Sequence, residues 1–162
     1  MENVFNISWS NTVKIISWVI GLLLISIAYL IITKINELST WVISSFSIVL
    51  LLSVYFVLQA PMSLKLSDDK LTICKLVGVK VIPFSAIEKI EPYKDYHSDI
   101  RLMGNGGFLG YTGLFRNKEL GKYTAFVGNY SQAFYIRTKS GKIYVTNSEQ
   151  REEIIRQIRL KL

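Results

Sequence analysis

Two long stretches without a single charge stand near the start of the chain, and nothing else in the sequence restricts its folding as much. Residues 15–33 are uncharged and rich in Leu and Ile; residues 38–64 are uncharged again, with their apolar centre at 41–58. A helix needs about 20 residues to cross roughly 30 Å of hydrocarbon, so each stretch is long enough to do so. The first run is too long for the apolar region of a secretory signal, lacks an Ala-x-Ala cleavage pattern and is followed at once by the second. A retained pair of membrane-spanning helices is therefore predicted.

Only residues 34–39 connect the two stretches. So short a link makes the helices antiparallel neighbours and puts both ends of the chain on one side. Lys65, Lys70, Lys75 and Lys80 follow the second stretch, against Lys34 alone in the link, and the positive-inside rule then places both termini in the cytoplasm. Trp18, Trp41 and Tyr55 are expected to help fix the depth. Neither apolar centre contains Asp, Glu, Lys, Arg or His, which argues against a transporter or an intramembrane enzyme. Paired about the link, the helices would bring Ala28 near Ser45, Ser26 near Ser47 and Gly21 near Ser53, and small residues favour close packing in lipid. The same surface, with its Ser17-x-x-x-Gly21 step, could instead join two copies into a homo-oligomer.

Pro61 divides the chain into a hairpin, residues 1–60, and a polar domain, residues 61–162. Proline lacks an N–H and pushes Ala60 out of the helical region, so the second helix must end there. The first sixty residues hold two basic and two acidic side chains, leaving 17 basic and 10 acidic in the domain and the whole net charge of +7 with it. Beside an anionic leaflet each well-placed Lys or Arg would add about 1 kcal/mol of attraction; the alternative is a surface that is merely solvated. No nucleic-acid motif accompanies the charge, and DNA or RNA is not expected as a partner. Cys74 is the single cysteine, so no internal disulfide can form, and its apolar surroundings suit a buried thiol.

The domain reads as strands followed by one helix. Leu64 and Leu66 alternate with Lys65 and Ser67, Asp68-Asp69 turns the chain, Leu71 and Ile73 alternate with Thr72 and Cys74, and Gly78 introduces a third strand at 79–82. Further strands are expected at 87–93, 122–127, 132–138 and 142–146, with the polar residues 94–99 leaving the sheet. In the last pair, Phe134, Ile136, Ile143 and Val145 are assigned to the core and Tyr135, Arg137 and Tyr144 to the outside. Residues 149–162 carry Ile154, Ile155, Ile158 and Leu162 on one helical face, with Asn147 and Gln150 as a capping box. Periodicity alone supports an α+β chain: a transmembrane helical hairpin, then a small antiparallel barrel or sandwich capped by a C-terminal helix.

Residues 104–116, Gly-Asn-Gly-Gly-Phe-Leu-Gly-Tyr-Thr-Gly-Leu-Phe-Arg, and then Leu120-Gly121-Lys122-Tyr123 resemble the glycine and aromatic signature of bacterial pleckstrin-homology-like (PH) membrane proteins. Val81-Ile82-Pro83 and residues 87–92 resemble them too, so that the likeness spans about 64–160. It implies a PH-like fold of about seven strands closed by one helix, in a bacterial inner-membrane protein. It also implies binding of lipid, peptide or protein rather than catalysis. The eukaryotic lipid-binding type carries a Lys and an Arg-x-Arg in its first hairpin, and Lys65, Lys70 and Lys75 do not reproduce that pattern.

The glycine run lacks the Gly-Lys-Ser/Thr ending and the strand–loop–helix setting of a phosphate loop. Two readings stay open for it. In one, Asn105-Gly106 forms a positive-φ hairpin turn and Gly107, Gly110 and Gly113 relieve crowding beside Phe108, Tyr111 and Phe115. In the other, the loop touches headgroups or a partner through Lys65, Arg101, Asn105, Gly107, Tyr111, Phe115, Arg116 and Tyr123. No catalytic set is present: Glu88 and Glu91 point to opposite faces of a strand, and no nucleophile has a base at a suitable spacing. His97 lacks companions for a metal site, so no metal or cofactor is expected. The expected function is a non-catalytic binding module on the cytoplasmic membrane, acting on anionic lipid or a protein partner. The alternative is an enzyme or membrane subunit binding a small ligand at the glycine-aromatic loop.

Overall fold

The computed structural model describes residues 3–35 and 38–162; Asn36 and Glu37, in the expected link, lie outside the described residues. Helix α1 (Asn11–Lys34) starts where Ser10 Oγ accepts the Val13 amide at 3.2 Å. Helix α2 (Thr40–Leu58) follows, and both are long and apolar enough to cross a membrane. Among the described residues no side-chain hydrogen bond joins the serines of the two helices. Ser26, Ser45, Ser47 and Ser53 each donate to a carbonyl four residues back in their own helix, at 2.7–2.9 Å, which satisfies the hydroxyls without a neighbour. A side chain added at Gly21 would meet nothing within 4 Å, so Gly21 makes no close approach to Ser53.

The remaining elements form two sheets and a helix. Strands β1 (Asn3–Asn6), β2 (Pro61–Leu66), β3 (Lys70–Lys75) and β4 (Val79–Pro83) pair in that order. The second sheet contains β5 (Ile87–Pro92), β6 (Ile100–Gly107), β7 (Gly110–Asn117), β8 (Gly121–Val127), β9 (Ala133–Thr138) and β10 (Ile143–Asn147), ordered β5-β9-β10-β8-β7-β6. Both sheets keep free edges, so the architecture is the sandwich and not the closed barrel. The pairing is antiparallel except where β8 and β10 run parallel.

Strand β1 has no counterpart in the hydropathy pattern. It lies before α1 yet pairs with β2, Phe5 opposite Leu64, and buries Phe5, with Ile7 just after it, in the core of the sandwich. Four residues are too few to display a period, and the partner strand stands on the far side of both long helices. The chain therefore enters the sandwich, leaves through α1, returns through α2 and re-enters at Pro61.

In the second sheet the register differs from expectation by one residue. Tyr144 faces Ile136, Thr146 faces Phe134, and Val145 faces Tyr135. Phe134, Ile136 and Tyr144 join the core between the sheets, whereas Tyr135, Ile143 and Val145 join a second cluster on the opposite face. Tyr135 and Tyr144 are thus buried rather than outside, because this sheet is covered on both faces and alternation no longer separates core from solvent. Helix α3 (Arg151–Arg159) closes the sandwich with Ile154, Ile155 and Ile158 buried, while Leu162 is exposed. Its N-cap is Gln150 without a side-chain bond, and Asn147 serves elsewhere.

Candidate functional site

Glycines decide the shape of the β6–β7 hairpin. Its tight turn lies at Gly107-Phe108-Leu109-Gly110, with Phe108-Leu109 three residues beyond the Asn105-Gly106 position that the sequence suggested. Gly107 and Gly110 have φ of +127° and +111°, and Leu109 is left-handed at +57°. Asn105 is buried beneath the turn and bridges it: its Oδ1 accepts the Phe108 amide at 3.2 Å and its Nδ2 donates to the Phe108 carbonyl. This is strand–turn–strand, with no helix following, so the setting of a phosphate loop is absent.

The turn is seated on the chain's own helix. The Leu109 amide donates to Ser17 Oγ at 2.8 Å, while Ser17 Oγ donates to the Val13 carbonyl at 2.6 Å. Ile16 lies so close to Gly107 that an added Cβ would come within 3.1 Å of it, and at Gly110 an added Cβ would sit 3.2 Å from Pro61. A second seat lies at the end of α2. The amides of Leu76 and Val77, in the β3–β4 turn, donate to the Ala60 and Leu58 carbonyls at 2.9 and 3.0 Å, satisfying acceptors that a helix end leaves open. Lys75 Nζ adds a 2.6 Å bond to Gln59 Oε1.

On the outer face of the larger sheet, residues 93–99 fold back instead of leaving it, with a 3-10 turn at Tyr96–Ser98. Asp99 is the centre of this segment. It accepts from the Tyr93 hydroxyl, from Tyr123 at 2.5 Å and from Asn117 Nδ2 at 2.8 Å. Asn117 also donates to the Asp95 carbonyl at 2.7 Å and to Ser98 Oγ at 2.8 Å, so one buried amide holds the whole segment down. Tyr130 stacks on Tyr96 at 5.6 Å and 18°, meets Tyr111 at 5.0 Å, and shares a 3.2 Å hydroxyl contact with Tyr123. Between these rings and the start of α1 lies an open cavity of about 350 Å³, walled by Tyr96, Tyr111, Phe115 and Tyr130 with Asp99 in its lining. Ser10 and Thr12 form its helix-side rim and Asn129 and Ser131 the opposite one.

The expected site residues therefore separate. Tyr111 and Phe115 wall the cavity, and Tyr123 lies behind it as a donor to Asp99. Asn105 and Gly107 build the turn on α1. Arg101 and Arg116 are exposed on β6 and β7, and Lys65 belongs to β2 in the other sheet. Sequence reasoning missed Tyr93, Tyr96, Asp99, Asn117 and Tyr130; the available signal was that five of the chain's nine tyrosines fall between positions 93 and 130. His97 lies tilted against Tyr96, ring centroids 4.3 Å apart, and no cluster able to hold a metal occurs among the described residues. Glu88 is exposed, whereas Glu91 accepts from the Tyr135 hydroxyl at 2.6 Å and pairs with Lys89 at 3.0 Å, which together hold its carboxyl below the usual value.

Burial, and for Tyr93 the neighbouring Asp99 carboxylate, push the phenols of Tyr93, Tyr123 and Tyr130 well above the ordinary value near 10. Their folded pKa exceeds the unfolded one, so their contribution to stability is complete below about pH 10 and is lost as the pH rises beyond it. Alkaline titration of the full chain at 295 nm is expected to leave these three phenols protonated while exposed tyrosines ionise. Their ionisation should coincide with unfolding seen by circular dichroism. A single transition near pH 10 with the fold intact would contradict the burial.

Residues 62–162 match the family model described as Bacterial PH domain. No curated protein and no solved structure matches the chain.

Proposed function

Because the chain belongs to the bacterial PH domain family, we propose that it is a non-catalytic binding module held against the cytoplasmic membrane. In this reading residues 1–60 are the anchor, with both termini cytoplasmic, and residues 61–162 are the module, to which β1 is lent back. The ligand is a protein partner or the membrane surface itself, reached through the tyrosine-walled cavity.

One observation carries the reading: the domain is bonded to both helices where they emerge. The Leu109–Ser17 bond fixes it to α1 and the Leu76–Ala60 and Val77–Leu58 bonds fix it to α2. A domain on a slack tether samples a large volume, whereas one fastened at two points reaches only what lies within its own width of the leaflet. The second seat also sets exposed Leu76 and Val77 beside the end of α2, where an interfacial environment would cover them. A small-ligand enzyme at the glycine loop has less support, since Gly107 is covered by Ile16 and Arg116 does not line the cavity.

A photoreactive amino acid at Ser131, on the cavity rim, tests this in intact membranes. Adducts with a lipid or a membrane-proximal protein are expected there, and not from the same probe at exposed Glu88 on β5. Equal labelling from both positions would count against the cavity as the binding surface.

A further inference from the structure

We propose that the tyrosine-walled cavity binds the ammonium group of an ethanolamine phospholipid headgroup from the leaflet in which the chain is anchored. The inference rests on the membrane-anchored reading above and adds the chemistry of the ligand.

The cavity offers what a cation requires. Asp99 keeps a carboxylate in its lining, and all three groups that bond it, Tyr93, Tyr123 and Asn117, are neutral donors. Among the described residues no ion pair compensates its charge. Tyr96, Tyr111 and Tyr130 line the same space, Tyr96 stacked on Tyr130 and Tyr111 tilted against it, and a cation within about 6 Å of a ring face left open there would be attracted by the ring quadrupole. Neutral phenols keep that attraction, and burial holds Tyr130 in the protonated form. An anion is disfavoured next to Asp99, so phosphate alone does not fit this wall.

Position selects the source of the cation. Ser10 and Thr12, on the rim, begin α1, and the part of its apolar run left uncovered by the β6–β7 turn starts beyond Ser17, about 7.5 Å further along a helix rising 1.5 Å per residue. The opening therefore stands at headgroup depth. Ser10 caps the Val13 amide and its carbonyl accepts the Lys14 amide, which leaves those of Asn11 and Thr12 at an N-terminus that carries partial positive charge, so the rim suits the phosphate while the cage suits the ammonium. The two carbons between these groups in ethanolamine match a small cavity, and a volume of about 350 Å³ takes a headgroup but no acyl chain.

The test uses the full chain in phosphatidylglycerol nanodiscs, titrated with phosphatidylethanolamine and read by near-ultraviolet circular dichroism of the tyrosines. A saturable change is expected. It should be absent with N-acetylated phosphatidylethanolamine, which keeps the phosphate but not the positive charge, and at least tenfold weaker in Tyr96→Leu. Tyr96 is half-buried, so far-ultraviolet dichroism of that variant should match the parent; Asp99→Asn, which removes the charge with little change of shape, should lose the signal as well. An unchanged response to the N-acetylated lipid, or in folded Tyr96→Leu, overturns the proposal. Saturation by ethylammonium or phosphoethanolamine at lower concentration than by the lipid assigns the site to a free amine and overturns the lipid source. Co-elution with the disc reports anchoring separately, so a chain that co-elutes yet ignores phosphatidylethanolamine refutes this inference and leaves the anchored module standing.

Discussion

Replacing Gly113 by Ala is expected to unfold the β6–β7 hairpin and with it the outer half of the sandwich, while α1 and α2 stay helical. Gly104 and Gly113 are directly opposite across the two strands, with φ of +119° and +122°. A Cβ at 113 would stand 2.4 Å from the Met103 carbonyl oxygen and 2.8 Å from Gly104 Cα; a Cβ at 104 would stand 2.2 Å from the Thr112 oxygen. Each contact is with backbone, so no side chain can swing aside. The conformation alone costs a non-glycine residue about 1–3 kcal/mol, and displacing a paired strand adds to it, so a loss of at least about 3 kcal/mol is expected. That is a large share of the roughly 5–15 kcal/mol that keeps a domain folded. The control is Gly141→Ala, where φ is +78° but nothing lies within 4 Å of the added carbon. Denaturant melts of the detergent-solubilised chain, followed by tyrosine dichroism, should separate the two variants clearly. Equal midpoints would mean that the close strand approach is not a feature of the folded protein.

The same glycines explain why parts of the fold were legible in the sequence and parts were not. Strands β2 and β3 alternate because one face is buried, whereas β4 exposes Val79 and Val81 and buries only Ile82, and α3 repeats its isoleucines at helical spacing. The apolar stretches are set by length and lack of charge alone. Strands β6 and β7 read only as a hairpin turn at Asn105-Gly106 or a binding loop, with no strand limits, since Gly104, Gly107, Gly110 and Gly113 interrupt any period, although their positive φ is what lets two bent strands approach so closely. The cavity was half legible. Tyr111, Phe115 and Tyr123 lie in the motif, but Asp99 acquires its meaning from Tyr93, Asn117 and Tyr123, which arrive from other segments. His97 and the Glu88–Glu91 pair were equally visible in one dimension and converge on nothing.

Asn147→Leu should detach the N-terminal segment from the domain. Asn147 is fully buried at the end of β10, and although its position suggested a helix cap, its side chain turns the other way. Oδ1 accepts the Gly128 amide at 2.7 Å, and Nδ2 donates to the Ser8 carbonyl at 3.0 Å and to Ser8 Oγ at 3.2 Å. Gly128 in turn has no room for a side chain, since a Cβ there would lie 2.4 Å from the Ser8 oxygen, and its carbonyl accepts the Ser10 amide at 3.0 Å. Leucine removes three hydrogen bonds and strands a buried amide and a part-buried carbonyl. At about 1–3 kcal/mol for each unsatisfied group, a loss near 3 kcal/mol is expected. Because Ser10 begins α1, releasing Ser8 also frees the helix to shift against the cavity rim, so stability and ligand response should fall together. Hydrogen exchange at residues 7–10 is the direct readout: these amides should exchange far faster in the variant while those of β3 and β4 keep their protection. Unchanged exchange there would show that Asn147 does not pin the segment and that β1 alone keeps α1 in register with the domain.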